Sequence, residues 1–211
     1  MIAQLCYKRK VPKVVDIETR REELAEALWR VIRRDGLERA SVRNVAREAG
    51  LSMGALRHYF GAQDELLAFA MGLVIERARG RIEALDLPSC DPRWAVELVL
   101  REVLPLDAER RAEAEVWLAL TGRALVDPAL RSLRDESYDL LQGMCRRLVV
   151  MLVESGEEAA PGLDVDLEAE LLYAVVDGLA VHAVVRPERA TAEGVVSVLA
   201  RHLDGLCRRR P

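Results

Sequence analysis

Apolar residues recur along this chain at helical spacing almost throughout, and no run alternates apolar with polar as a half-buried strand does. A first helix is predicted from about Ile17, with Leu24, Leu28, Val31 and Ile32 on one stripe and Trp29 beside it. It stops at Asp35-Gly36, where glycine can take the left-handed backbone that closes a helix. Ser41 then caps a short helix whose apolar positions Val42, Val45, Ala46 and Ala49 follow i, i+3, i+4, i+7. Gly50 ends it, and Ser52 caps a third helix that turns Leu56, Tyr59 and Phe60 inward.

Beyond these, a longer helix is predicted over Gln63–Ala84. Asp91-Pro92 opens another that stops at Pro105, and the pattern from Asp107 to Val126 is again helical. Asp127-Pro128 restarts the chain into a long helix ending near Ser155-Gly156. An acidic loop, Gly156–Asp164, leads to two last helices over Val165–Val185 and Thr191–Arg208. The expected architecture is all-α. Residues 1–16 form a basic arm, residues 17–61 a three-helix helix-turn-helix domain, and residues 62–211 a six-helix bundle for effector binding and dimerisation.

Charge changes this picture by giving the chain two ends. Residues 1–61 carry 13 Lys and Arg against 8 Asp and Glu, whereas the remaining residues carry 18 against 27. A basic head on an acidic body suits a protein that presents one end to a polyanion. The most apolar stretch, Leu171–Val185, is interrupted by Asp177 and His182 and is short for a membrane span. Lys8, Arg9 and Lys10 are not followed by the apolar core of a signal peptide, so a cytoplasmic protein without a membrane partner is expected. Cys6, Cys90, Cys145 and Cys207 form no CxxC pair, and His58, His182 and His202 are scattered, so neither metal nor cofactor is expected.

The informative segment is Ser41–Phe60. Two short helices joined by Ala49-Gly50-Leu51-Ser52 project the second outward: Gly50 allows the turn, Leu51 plugs the corner and Ser52 caps the next helix. Such a helix can enter a major groove while its predecessor braces the backbone. Gly54 and Ala55 allow close approach to base edges, and Arg57 can pair with a phosphate or a guanine edge. A plain helical hairpin with a solvated Arg57 would show the same spacing.

The run from Thr19 to Leu67 resembles the tetracycline-repressor (TetR) family of bacterial regulators. The match comprises Asp35-Gly36-Leu37, Ser41-Val42-Arg43-Asn44-Val45-Ala46, Ala49-Gly50-Leu51-Ser52, Leu56 to Phe60, and Asp64-Glu65-Leu66-Leu67. The resemblance implies a homodimer that binds a palindromic double-stranded DNA operator and is released by a small-molecule effector. It implies a DNA-binding set of Ser41, Arg43, Ser52, Met53, Gly54, Ala55, Arg57, His58 and Tyr59. Ser41 and Arg43 are phosphate and base-edge contacts in that set, and Tyr59 is a backbone contact. Family members often place an aromatic residue at Arg57 or His58, His at Tyr59, and Lys at Gly61 and Gln63. Here neither of the last two is basic, so the usual Lys–phosphate clamp is missing; Arg57 with the arm Lys8–Lys13 is one source for that charge, and a tail without DNA contacts is the other reading of the arm.

The run Pro105-Leu106-Asp107-Ala108-Glu109, Trp117, and Asp177-Gly178-Leu179 resemble the effector half of a subgroup that includes the choline-responsive repressor of the betaine pathway. The last two helices are apolar around more than half their circumference, as expected of helices that pack on two sides. Leu172, Val176, Leu179, Val196, Leu199 and Leu203 are the expected dimer interface. A pocket for a largely apolar effector is expected between the helices starting at Asp91, Asp107, Asp127 and Val165. Its candidate lining is Trp94, Trp117, Thr121, Tyr138, Leu141, Met144, Tyr173 and Asp177, and Trp with Asp could cradle a cation. An enzyme would need a nucleophile–base or metal constellation. None is visible, and Asp177 and His182, at i and i+5, point to different sides of their helix.

Overall fold

The computed structural model describes residues 17–87, 91–154 and 163–208; the basic arm, Cys6, Cys90 and most of the acidic loop lie outside them. Among these residues the chain is all-helical. It runs through α1 (Ile17–Asp35), α2 (Val42–Glu48), α3 (Met53–Tyr59), α4 (Gln63–Glu83), α5 (Pro92–Glu102), α6 (Ala108–Ala124), α7 (Pro128–Glu154), α8 (Val165–Val185) and α9 (Ala192–Arg208). A 3₁₀ turn at Leu37–Arg39, which periodicity does not announce, links α1 to α2.

Side-chain caps set most of the helix starts. The Ser41 and Ser52 hydroxyl oxygens accept from the Asn44 and Ala55 amides at 3.3 and 3.1 Å. Asp91, Asp107 and Asp164 accept from Trp94, Arg110 and Leu167 at 3.2, 2.8 and 3.1 Å, and Thr191 accepts from Gly194 at 3.2 Å. Each cap satisfies an amide that the first helical turn leaves without a partner. Between α2 and α3, Gly50 takes φ +68°. The Leu51 amide donates to Ala46 O at 2.8 Å and the Gly50 amide to Arg47 O at 3.2 Å, the pattern that closes a helix through a left-handed glycine.

Burial divides into two clusters. The first joins Leu24, Leu28 and Trp29 of α1 with Val45, Leu56 and Phe60 of the small helices, Leu66 to Leu73 of α4, Val116 and Leu120 of α6, and Leu130 of α7. The head therefore shares a core with the body, and α6 belongs to it. The second gathers Val96 to Leu104, the distal half of α7, α8 and α9.

This second core corrects the expected interface. Leu172, Val176, Leu199 and Leu203 are fully covered by their own chain, and Leu179 and Val196 are half-buried. A side chain already enclosed by its own fold has no area to offer a partner. Instead α8 presents Leu167, Leu171 and Val185 outward, with Ala174 and His182 on the same stripe, and α9 presents Val198.

Candidate nucleic-acid interface and effector cavity

In the head, α1 braces the pair α2–α3. Arg30 and Arg34 both reach Glu48 of α2, at 3.0 and 2.8 Å, and these two guanidiniums, Arg34 first, hold its carboxyl below the ordinary carboxylate range. Buried Leu56 and Phe60 fix α3 against this frame, so its opposite face is left to solvent. Met53, Gly54, Arg57 and His58 are exposed there, as are Ser52 at its start and Arg43 on α2; Ala55, Ser41 and Tyr59 are half-buried. Among the described residues neither Arg43 nor Arg57 has an ion-pair partner, whereas Arg20, Arg21, Arg30, Arg33 and Arg34 of α1 all do. Arg43 on α2 and Arg57 on α3 are thus exposed cations without an ion-pair partner on the face that α1 does not cover. Ser41 and Ser52 accept cap bonds through oxygen, which leaves each hydroxyl proton free to donate to a phosphate.

The expected pocket exists in a shifted place. A cavity of about 420 Å³ lies between α4, α6, α7 and α8, with the end of α5 closing one side. Trp117, Leu141, Met144 and Asp177 line it. Thr121, Tyr138 and Tyr173 do not; they stand behind the wall. Tyr138 sits beside Thr121 and meets Trp117 and Tyr173 edge-on, at ring separations of 6.1 Å in each case. Trp94 does not line it either: the buried stripe of α5 is Ala95, Val96, Glu97, Val99 and Leu100, and Trp94 lies off that stripe, 43% exposed beneath the guanidinium of Arg101.

Charge inside the cavity is distributed unevenly. At one end Arg81 grips the almost fully buried Glu113 with two bonds of 3.0 and 2.8 Å and reaches Glu102 at 3.2 Å, while Arg110 meets Glu102 at 3.0 Å. Those charges cancel. Sequence reading missed this quartet because paired charges on helices look like solvated ones. Asp177 has no cationic partner among the described residues, and burial raises its pKa. Burial, and then the Asp177 charge, push the Tyr173 phenol up to about 12 and raise Tyr138 in the same direction. Arg79, which pairs with Glu76, and the exposed Glu83 and Arg147 also line the cavity, so Asp177 is distinguished among its charged residues by being half-buried without a cation beside it. No group of His, Cys, Asp and Glu among the described residues could hold a metal ion.

Residues 24–69 match the model of the tetR family of bacterial regulatory proteins, and residues 92–208, more than half of the chain, match the C-terminal domain of BetI-type transcriptional repressors. The chain belongs to the TetR family. As a TetR-family protein it is a DNA-binding transcriptional regulator and not an enzyme, with a helix-turn-helix at the N-terminus and a BetI-type repressor domain behind it. The regulator PksA of Bacillus subtilis is 44% identical over 197 residues, covering 93% of this chain and 94% of that protein. A solved transcriptional regulator from Rhodococcus sp. is 31% identical, with a TM-score of 0.76 over 88% of this chain and 95% of its own. A Saccharomonospora viridis regulator solved in complex with choline shares the fold at 21% identity, with a TM-score of 0.71 over 91% of this chain and 97% of that one. TetR-family regulators bind operators and small molecules as dimers. No helix among the described residues is long and apolar enough to cross a membrane.

Proposed function

We propose that this TetR-family chain is a homodimeric cytoplasmic repressor of a palindromic operator, released by a mostly apolar effector that carries a cationic group. The observation that carries the effector class is Asp177: a half-buried carboxylate without a counter-ion, on the wall of a mostly apolar cavity whose Arg81–Glu113 and Arg110–Glu102 charges are paired and whose other unpaired charges, Glu83 and Arg147, are exposed. Such a group is costly until a cation meets it, and Trp117 nearby adds an electron-rich face. Choline in the Saccharomonospora viridis regulator is a small cation in a protein of this fold and supports the reading.

The DNA-binding set is Ser41, Arg43, Ser52, Met53, Gly54, Ala55, Arg57, His58 and Tyr59. Specificity rests on Arg43, Arg57 and His58, since Gly54 and Ala55 bring little to read with. Two heads at a separation of about one DNA turn (~34 Å) require a two-fold partner. The outward stripe of Leu167, Leu171 and Val185 with Val198 supplies the surface for it. Release follows if the effector, seated against α4 and α6, shifts the helices that share the head's core, so that both heads no longer match the operator together.

Thermal shift with tetraalkylammonium salts and their uncharged alcohol analogues tests the effector class. Stabilisation by the cations, saturating with concentration and lost in Asp177→Asn, is expected. Equal stabilisation by the uncharged analogues would contradict it.

A further inference from the structure

The two positions after the reading helix that lack a cation are already engaged within the chain. The Gly61 amide donates to the Glu65 carboxylate at 2.8 Å, and the Gln63 side chain donates to Ala40 O at 3.1 Å. A cation nevertheless stands at this end of α3, and it comes from α1. The first turns of α1 pack on the last turn of α3. The Arg21 guanidinium lies 4.8 and 4.5 Å from the ring centres of Phe60 and Phe69 and pairs with Glu65 at 3.5 Å, so Arg21 is used in packing. Its neighbour Arg20 lies beside the Tyr59 hydroxyl and pairs with Glu23 one turn along, on the solvent side.

We infer that Arg20 is a DNA phosphate contact, acting together with the Tyr59 hydroxyl at the end of the reading helix and supplying the charge that Gly61 and Gln63 lack. A phosphate between the two would accept from the guanidinium and from the phenol at once. The Arg20–Glu23 pair does not preclude this. An exposed i, i+3 pair is weak, whereas a phosphate contact also releases a condensed counterion. Glu23 orients the guanidinium in the free protein and competes with DNA for it in the complex. The two residues therefore have opposite effects, which a purely structural pair would not have.

The test uses full-length protein and two duplexes of equal length, one selected by the protein from a random pool and one unselected, titrated by fluorescence anisotropy at several salt concentrations. Arg20→Gln is expected to weaken binding about five-fold at ~0.15 M salt on both duplexes and to reduce the log–log salt slope by about 0.9, the signature of one lost phosphate contact. Tyr59→Phe is expected to weaken binding without changing the slope. Glu23→Gln is expected to strengthen binding, and it keeps the proposal falsifiable if the Arg20 variant melts early. An unchanged slope in a folded Arg20→Gln, or weaker binding by Glu23→Gln, would overturn the assignment.

Discussion

The Nε–H of Arg33 donates to the Glu115 carboxylate at 2.5 Å, joining the first helix of the DNA-binding head to a helix that walls the cavity. Helix α6 has contacts of this kind on several sides. Glu109 faces Arg77 of α4, which also pairs with Glu26 of α1 and lies over the Trp29 ring; Arg111 donates to Ala183 O near the end of α8; and Glu113 is held by Arg81. Trp117 on the same helix lines the cavity, and Val116 and Leu120 sit in the core shared with the head. A molecule pressing on Trp117 therefore acts on an element already tied to α1, α4 and α8.

If the Arg33–Glu115 pair helps hold the head in its DNA-ready orientation, breaking it alters operator binding without any change at the reading surface. Arg33→Gln or Glu115→Gln removes a partly exposed pair worth ~0.2–1 kcal/mol, so operator affinity should fall by up to about five-fold. Arg33→Glu combined with Glu115→Arg should recover most of the loss. Anisotropy titration on one duplex of the wild type, Arg33→Gln, Glu115→Gln and the double variant that combines those two substitutions gives the coupling directly.

Asp177 sets a trade between stability and ligand recognition. Its folded pKa is raised by burial above the unfolded value. The stabilising contribution is thus complete below the unfolded pKa and is lost as pH rises through the folded one, leaving a destabilising charge at neutral pH. Asp177→Asn should raise the melting temperature of the unliganded protein, by ~2–4 °C for each kcal/mol relieved. Cation binding should weaken on acidification, starting above the pH at which an ordinary aspartate protonates. Calorimetric melts and ligand titrations from pH 4 to 8 check both.

Oligomeric state separates the two apolar faces of α8. Leu171→Arg, on the outward stripe, should yield a folded monomer by sedimentation, because a dimer would bury two unpaired charges. Leu172→Ala removes a fully buried side chain and should instead destabilise the fold by ~2–5 kcal/mol, as read in urea unfolding.

The contrast between Leu171 and Leu172 also marks where sequence reading reached its limit. Helix starts were legible because Ser41, Ser52, Asp91, Asp107 and Thr191 cap by local chemistry, and the α2–α3 turn was legible because Gly50 and Leu51 each have one job there. Which of two apolar stripes on α8 faces inward is not local; it depends on where α7 and α9 pack. Trp94 was misplaced for the same reason, since an aromatic at the edge of a stripe can be covered by the core or, as here, by an arginine. The pairing of Arg81, Arg110, Glu102 and Glu113 emerges only when three helices meet.

The caps carry measurable weight because α2 and α3 are each only seven residues long. Ser52→Ala should cost ~1 kcal/mol in urea unfolding, and Ser52→Gly only a few tenths. Either variant should also lose part of its operator affinity if the Ser52 hydroxyl donates to a phosphate.

The most direct test of the account is the ratio of operator to unselected-DNA affinity in the wild-type protein and in Arg43→Ala, measured on duplexes recovered from a random pool. A pool converging on a palindrome, bound at least ~10³-fold more tightly than unselected DNA, is expected. Arg43→Ala should lower operator affinity by ~1–3 kcal/mol and relax the preference at one base pair per half-site. A pool that fails to converge, or an Arg43→Ala protein with undiminished discrimination, would contradict the assignment of the reading surface.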